Sequence, residues 1–372
     1  MSKAQSISKF SFDWSFISEL DEGFLRTWIN AAVRRNVQEL SLNFFSPILC
    51  FCSLERLFAC KTLVSLQLGL RIYFDVPANI HLPCLRILEL LKLKYLNDDS
   101  LRRLISSSPV LEDLKVVRTL DDNIVTLDIN VPSLKRITVV CCACPFYDGF
   151  IDPRCKLLIK APLLERIDFT GEGYSDYLIE GASNLAEAKI KIISKWLHEH
   201  QFFKLLKVFA NVRFLCLVPS SIWSVCPPKA KFPMFHNLVR LDIQCCCVYR
   251  HGFMALLEYS DNLEQLVYHN VELHQGKCDR ALVGSVPKCV SMRLKSINFR
   301  RLSFNVCAWT LPRYFLRNAK FLKQMKIGIS SRLKKNRRLH LGNLLKYPRA
   351  SVACEIGFFR ESTKKEINLG PE

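Results

Sequence analysis

The chain repeats one short alternation of apolar and polar positions twelve times. Each copy reads apolar-x-x-apolar-x-apolar, as in Leu63-Leu66-Leu68 and Leu238-Leu241-Ile243. The middle apolar residues of the twelve copies are Leu40, Leu66, Leu88, Leu114, Ile137, Ile167, Ala188, Leu215, Leu241, Leu266, Ile297 and Met325. A short strand with this pattern cannot bury its apolar side alone, but it can do so between copies of itself. We therefore predict a short strand at each copy.

The spacing between copies averages about 26 residues, which is typical of leucine-rich repeats. It predicts an α/β fold, a leucine-rich-repeat solenoid in which a horseshoe of short parallel strands carries helices on its outer side. Helical periodicity and capping signals place these helices at Glu22–Val33, Lys191–Phe209 and His251–Ser260, and most clearly at Asn97–Ser106. The first of them would form an N-terminal cap.

Alternate residues of a strand point to opposite faces, so the residue between the last two apolar positions of each copy should line the concave face. Ten of these residues are candidates for contact with a partner: Ser41, Gln67, Glu89, Lys115, Thr138, Asp168, Lys189, Asp242, Asn298 and Lys326. They are mixed in sign and chemistry, unlike a groove that follows phosphates. The row therefore favours a protein or peptide partner, although an ordinary solvated sheet face would look the same at any single position.

The formal charge of +19 is concentrated at one end of the chain. Residues 286–372 hold 20 Lys and Arg against 4 Asp and Glu, whereas residues 1–285 hold 33 against 30. The N-terminal stretch is too charged for a signal peptide, and no apolar run is long enough to span a membrane. The 17 cysteines are an odd number in a long chain, which favours reduced, buried thiols and an intracellular protein of cytoplasm or nucleus.

Several stretches together resemble the plant family of F-box proteins with leucine-rich repeats and an FBD domain. The resemblance is carried by WINAAVRRNVQELSL at Trp28–Leu42, KCVSMRLKSINF at Lys288–Phe299, PRYFLRNAKFLKQMKI at Pro312–Ile327 and LLKYPRASVACEIGF at Leu344–Phe358. Together with the N-terminal helix and the change of charge balance after residue 285, it predicts four segments: an N-terminal cap over residues 1–35, leucine-rich repeats over 36–285, an FBD domain over 286–360 and a tail over 361–372.

The resemblance also implies a function. In this family an F-box docks onto the Skp1 adaptor of a cullin ubiquitin ligase, and the repeats hold the protein substrate. The Leu-Pro-Asp stretch typical of an F-box does not occur before Ser11. We therefore expect a non-enzymatic interaction module that binds a protein substrate, and adaptor binding only if an F-box is supplied upstream. We expect no cofactor, membrane or nucleic-acid partner.

Motifs with chemical potential are few. The pair Cys141 and Cys144 has zinc-like spacing but no second pair nearby, so buried structural thiols explain it better. His198 and His200 are two residues apart on a helix and face different directions, so they cannot share one ion.

The strongest basic run offers an alternative function. Residues Arg332, Lys334, Lys335, Arg337 and Arg338 lie within seven positions. They could form a nuclear-import signal or an anion-binding patch, so that the protein acts as a basic module through its C-terminal quarter. A solvated loop between a strand and a helix around residues 339–345 would also account for them.

Overall fold

The computed structural model describes residues 7–14, 22–44, 56–69, 73–74, 76–119, 121–141, 155–171, 176–192, 199–219, 231–245, 250–270, 285–302, 309–330 and 342–361. Nineteen strands and six helices are defined in these ranges, together with a short helical stretch at 342–345.

The strands are short. They are β1 (Lys9–Trp14), β2 (Glu39–Phe44), β3 (Ser65–Gly69), β4 (Tyr73–Phe74), β5 (Ile87–Leu91), β6 (Lys94–Tyr95), β7 (Asp113–Arg118), β8 (Thr126–Asn130), β9 (Arg136–Cys141), β10 (Lys156–Lys160), β11 (Arg166–Gly171), β12 (Asp176–Glu180), β13 (Glu187–Ile192), β14 (Phe214–Pro219), β15 (Arg240–Cys245), β16 (Gln265–Asn270), β17 (Ser296–Leu302), β18 (Gln324–Ser330) and β19 (Glu355–Glu361).

The helices are α1 (Glu22–Arg34), α2 (Asp98–Ser106), α3 (Glu199–Val208), α4 (Arg250–Glu258), α5 (Lys288–Met292) and α6 (Thr310–Asn318). A turn of 3-10 helix covers Leu57–Ala59. Among the described helices, none is both long and apolar enough to cross a membrane.

The chain forms two compact units. The first comprises Met1–Leu185 and Ile192–Leu197, and the second comprises Ala186–Lys191 and His198–Glu372. Parallel strands pair in the order β1-β2-β3-β5-β7-β9-β11 in the first unit and β13-β14-β15-β16-β17-β18-β19 in the second. Each of the twelve predicted strands is therefore present, and β1 and β19 extend the series.

Two apolar columns hold each unit together. In the first unit, Leu40 pairs in register with Leu66, Leu66 with Leu88, and Leu88 with Leu114. These side chains are at most 2% exposed. In the second unit one column contains aromatic side chains, with the Tyr268 and Phe299 rings 5.9 Å apart between Ile243 and Ile327. Removing a buried leucine from such a core costs about 2–5 kcal/mol, so each column position stabilises both neighbouring repeats.

The segments that return from one strand to the next are partly strands rather than helices. Strands β8, β10 and β12 form a second parallel sheet in the first unit, with Leu127 in register with Leu157 and Leu157 with Tyr177. The prediction of outer helices thus holds for α2 but is incomplete for the next three repeats. Their alternating Leu127 and Ile129, repeated at Leu157 and Ile159, follow the period of a strand.

Helix predictions were accurate where a cap was readable. Asn97 caps α2, its Oδ1 accepting the Ser100 N–H at 3.1 Å. The prediction for Lys191–Phe209 was wrong at its beginning, because residues 191–192 belong to strand β13; α3 covers Glu199–Val208, and residues 193–198 lie outside the described residues. In α1, Leu25, Ile29 and Ala32 are buried, whereas Phe24 and Trp28 remain exposed.

Polar side chains join the turns that lead into successive strands. Four positions before the middle apolar residue, a side chain donates to a carbonyl of the preceding turn in five of the repeats. These bonds are Thr62 to Val37 O (3.0 Å), Ser133 to Leu111 O (2.8 Å), Asn184 to Pro162 O (3.3 Å), Asn237 to Asn211 O (3.4 Å) and Asn262 to His236 O (2.8 Å). They satisfy carbonyls that the strand ladder does not reach.

A buried ion pair fixes the path from the first sheet to the second. Arg118, at the end of β7, donates to both carboxylate oxygens of Asp122 at 2.7 and 2.9 Å, and also to the Ile124 carbonyl at 2.6 Å. Both charged side chains are buried. The Asp122 carbonyl accepts the Tyr95 N–H, and burial raises the pKa of the Tyr95 hydroxyl.

Replacing Asp122 by alanine should strongly destabilise the first unit. The Arg118 guanidinium would stay buried without its carboxylate, and breaking a buried pair in this way costs about 3–5 kcal/mol. Asp121→Ala is the matched control, since Asp121 pairs with Lys94 at the surface and such pairs contribute about 0–1 kcal/mol. Urea denaturation of both variants measures the difference. Equal losses of stability would show that the buried pair has no special role.

Candidate functional site

The predicted partner-facing residues of the first unit form one continuous row. Neighbouring members are direct register partners on β2, β3, β5, β7, β9 and β11. The six residues are Ser41, Gln67, Glu89, Lys115, Thr138 and Asp168, and all are half-buried. They lie on the sheet face opposite the leucine columns, because burial alternates along each strand. We name this surface the first-unit row.

The row begins with a network of amides and a carboxylate. Asn43, two residues beyond Ser41, donates to Asp13 Oδ1 at 2.7 Å and accepts from Gln67 Nε2 at 3.1 Å. Gly69 lies beside it, and a Cβ at that position would come within 2.4 Å of Asn43 Oδ1. The glycine thus leaves the space in which the Asn43 side chain makes these bonds and a longer one to Ser41 Oγ at 3.4 Å.

The middle of the row holds one acidic and one basic side chain, which form an ion pair. Lys115 Nζ lies 3.3 Å from Glu89 Oε2 on the neighbouring strand. Beside this pair, Leu91, Val117 and Val140 are register partners and half-buried, and they form an apolar strip on the same face. The face thus combines an apolar strip with hydrogen-bonding groups, a composition that suits a protein surface better than a polyanion.

The second unit carries a similar row on β14 to β19. Cys216, Asp242, Val267, Asn298, Lys326 and Gly357 are register partners in sequence. The predicted Lys189 lies half-buried on β13, the strand before β14. Lys326 is exposed, whereas Asp242 and Asn298 are half-buried. We name this surface the second-unit row.

Two polar features distinguish the second-unit row. His269 Nε2 lies 2.8 Å from Asp242 Oδ1, which fixes the imidazole beside the row. The Asn298 amide oxygen is buried and has no hydrogen-bond partner among the described residues. A buried acceptor of this kind is costly to leave unpaired, so this part of the row has an unmet hydrogen-bonding capacity.

Charges also alternate where the strands of the first unit begin. Arg86 Nη1 lies 2.8 Å from Glu112 Oε1, and Lys135 Nζ lies 3.1 Å from the other oxygen of the same carboxylate. The hydrogen bond from Lys135 is the main cause that lowers the pKa of Glu112. Desolvation opposes it, and the charges of Lys135, Arg86 and Arg136 add to the lowering.

The cysteines that the structure describes are buried, apart from Cys84. Cys141 and Cys155 are buried, and burial raises the pKa of Cys289 to about 12, so that this thiol is inert at neutral pH. No group of three or more metal-binding side chains occurs among the described residues. Cys144 and His198 lie outside them.

The basic run that suggested a second function also lies outside the described residues. Arg332, Lys334, Lys335, Arg337 and Arg338 fall in the range 331–341, between β18 and a helical stretch at 342–345. The anion-binding hypothesis for these residues therefore stays a prediction.

Two strands that add to the rows were not predicted. β1 contributes Ser11, the register partner of Ser41, and β19 contributes Gly357. A signal for β1 is present in the sequence, because Ile7, Phe10 and Phe12 have the spacing of the repeat. For β19 the signal is weaker, since alanine stands at position 353 where most copies carry a leucine.

In-register parallel strands with leucine columns, joined by short helical or extended segments, define a leucine-rich-repeat protein. The family profile described as "FBD-associated F-box protein At5g56370, LRR repeats" matches residues 25–194, and the FBD profile matches residues 284–327. The chain belongs to the F-box/FBD/LRR-repeat family.

Several proteins from Arabidopsis thaliana are similar to this chain over most of its length. A putative F-box/FBD/LRR-repeat protein, At5g62970, is 30% identical over 90% of this chain and 74% of its own length. A putative FBD-associated F-box protein, At5g50270, is 30% identical over 89% and 81%. F-box/FBD/LRR-repeat protein At5g56420 is 30% identical over 92% and 79%. These family names point to protein interaction rather than catalysis.

Gly69→Ala should destabilise the protein by about 1–2 kcal/mol, because the new Cβ displaces the Asn43 side chain from its bonds with Asp13 and Gln67, each of which contributes about 0.5–1.5 kcal/mol. Gly357→Ala is the control, since a Cβ there meets no atom within 4 Å. Thermal denaturation compares the two variants. The account of the Asn43 network is contradicted if Gly69→Ala is as stable as Gly357→Ala.

The pKa of Glu112 should rise toward that of an ordinary glutamate when Lys135 is replaced by methionine, since the main cause of its lowering is then removed. Because the folded-state pKa is lowered, the carboxylate contributes stability above the usual glutamate pKa and loses it as the pH falls through the lowered value. Carboxyl NMR titration measures this change. Lys295→Met, which removes the partner of Glu264, should leave the Glu112 titration unchanged.

Proposed function

We propose that the chain is a substrate-recognition module that binds a protein partner on its strand faces. The observation that supports this most directly is the first-unit row with its apolar strip. It offers side-chain donors, acceptors and apolar groups in register across six strands, which is a larger and more varied surface than a small ligand needs.

We further propose that the partner is a substrate of an SCF-type ubiquitin ligase. This step rests on membership of the F-box/FBD/LRR-repeat family, in whose members the F-box would contact the Skp1 adaptor. The role of this chain is then to hold the substrate, while an F-box supplied upstream would connect it to the ligase. No part of this role requires a catalytic residue.

The ten predicted residues would act in two groups under this proposal. In the first-unit row, Glu89 and Lys115 neutralise each other's charge. The row would therefore recognise its partner through hydrogen bonds and apolar contacts. The residues of the second-unit row offer the unpaired Asn298 oxygen as an acceptor and Lys326 as an exposed cation. Specificity then follows from the order of side chains along each row.

Thr138→Arg should strongly weaken partner binding without unfolding the chain. The arginine would project from the middle of the first-unit row and cover the surface between Lys115 and Asp168. Thr126→Arg is the matched control, because Thr126 is also half-buried and on a strand, but belongs to the second sheet. Quantitative affinity purification from plant cells, followed by calorimetry with each purified partner, compares the two variants with the wild-type chain.

We expect one partner to bind both the wild-type chain and Thr126→Arg. Its affinity for Thr138→Arg should be at least about tenfold lower, as is typical when the centre of an interface is disrupted. The proposed binding face would be refuted by a partner whose affinity is reduced by Thr126→Arg but not by Thr138→Arg. If the partner binds as expected but its lifetime in cells does not depend on the chain joined to an F-box, the ubiquitin-ligase step is wrong while the binding face stands.

A further inference from the structure

The turns before β17, β18 and β19 differ from the turns before β13, β15 and β16. At the position where Asn184, Asn237 and Asn262 donate to the preceding turn, these three turns carry Arg293, Phe321 and Val352. Neither Arg293 nor Phe321 makes such a bond. Between the last two turns the bond is made instead by Ser351, which donates to the Leu322 carbonyl at 2.7 Å.

The same three turns expose large apolar side chains. Met292 is 55% exposed, Phe321 is 54% exposed and Val352 is 98% exposed. Met292 is the last residue of α5, and all three side chains lie just before strands that are neighbours in the sheet. Since the second unit does not use these side chains in its core, their arrangement calls for a partner outside the unit.

Unpaired cations accompany the apolar side chains. Lys295 forms an ion pair with Glu264 at 2.8 Å, but Lys323, the next residue in the same column, has no carboxylate within 4.0 Å among the described residues. The corresponding column of the first unit alternates in sign, as in the Arg86–Glu112–Lys135 series. Like charges on neighbouring strands are unfavourable. An anionic group placed between Lys295 and Lys323 would therefore be stabilised.

Two more cations, Arg293 and Lys320, form no ion pair with a described residue. Glu355, the acidic residue that starts the next strand, forms none either. We define the turn ridge as the six residues Met292, Arg293, Lys320, Phe321, Lys323 and Val352. It combines three apolar side chains with three cations on consecutive turns.

The spacing of the ridge selects the shape of its partner. Neighbouring strands are about 4.8 Å apart, so three successive turns extend over about 9.6 Å. Two turns of an α-helix advance about 10.8 Å, whereas four residues of an extended strand advance about 13 Å. An α-helix can therefore set one apolar side chain against each turn, and an extended peptide cannot.

We propose that the turn ridge binds an acidic amphipathic α-helix of a protein partner. Apolar side chains on one face of that helix, at positions i, i+4 and i+7, contact Met292, Phe321 and Val352. Aspartate or glutamate side chains beside them pair with Arg293, Lys320 and Lys323. This surface is distinct from the strand rows, so the inference does not depend on the proposed function.

Binding of designed peptides to the full chain tests the proposal. The probe is a helical peptide with leucines at i, i+4 and i+7 flanked by glutamates, and the control peptide has the same composition in scrambled order. Fluorescence anisotropy should show binding of the first peptide alone, and this binding should weaken as salt is added because the ion pairs are exposed.

Two variants and their matched controls locate the site. Phe321→Asn introduces the residue found at this position in the turns of Asn184, Asn237 and Asn262, so the fold should be kept. The affinity for the helical peptide should fall by about tenfold. Lys320→Glu should weaken it to a similar degree. Leu163→Asn and Lys61→Glu change an exposed leucine and a lysine at the same two turn positions in the first unit, and their effect should stay within about twofold.

Three results would overturn the proposal. The first is failure of the helical peptide to bind, and the second is equal binding of the scrambled peptide. The third is vesicle binding in place of peptide binding. If the chain binds vesicles of phosphatidylserine and phosphatidylcholine but no peptide, and Phe321→Asn removes this binding, the ridge contacts a lipid surface. Thermal denaturation of each variant confirms that any loss of binding occurs in a folded chain.

Discussion

In-register parallel pairing is the constraint on which the structure of each unit depends. A repeat strand has only two or three apolar side chains, and these are buried only when the strands on both sides place their own apolar residues at the same height. The columns through Leu66, Leu88 and Leu114 meet this requirement. A shift of one residue would expose the whole apolar set of a strand, so the leucine columns also fix which residues face outward.

The outward rows are thus a consequence of core packing, and their chemistry is free to vary. Gln67, Glu89 and Lys115 are neighbours because the leucines beside them are neighbours. The same freedom applies at the turns, where the Asn262 bond to the preceding turn is replaced by exposed Phe321 two repeats later. Departures from the repeat pattern mark the places where structure alone does not dictate the residue.

The sequence predicted the strands and their faces because both depend on a period of two and on local spacing. It predicted less where the segment between strands decides the structure. Strand β8 lies in a return segment, for which the repeat class predicts helices in general. Its alternating Leu127 and Ile129 pair in register with Leu157 and Ile159 of β10 instead. The Arg118–Asp122 pair and the position of Asn43 beside Gly69 depend on contacts between residues that no local pattern relates.

Site-specific photo-crosslinking would test most directly whether the strand faces bind the protein partner. A photoreactive residue would be placed in turn at Gln67, Thr138 and Asp168 of the first-unit row, and at Thr126 and Lys156 of the second sheet. The account predicts that one partner protein crosslinks from the three row positions and from neither position of the second sheet. Crosslinks to that partner mainly from Thr126 and Lys156 would contradict it.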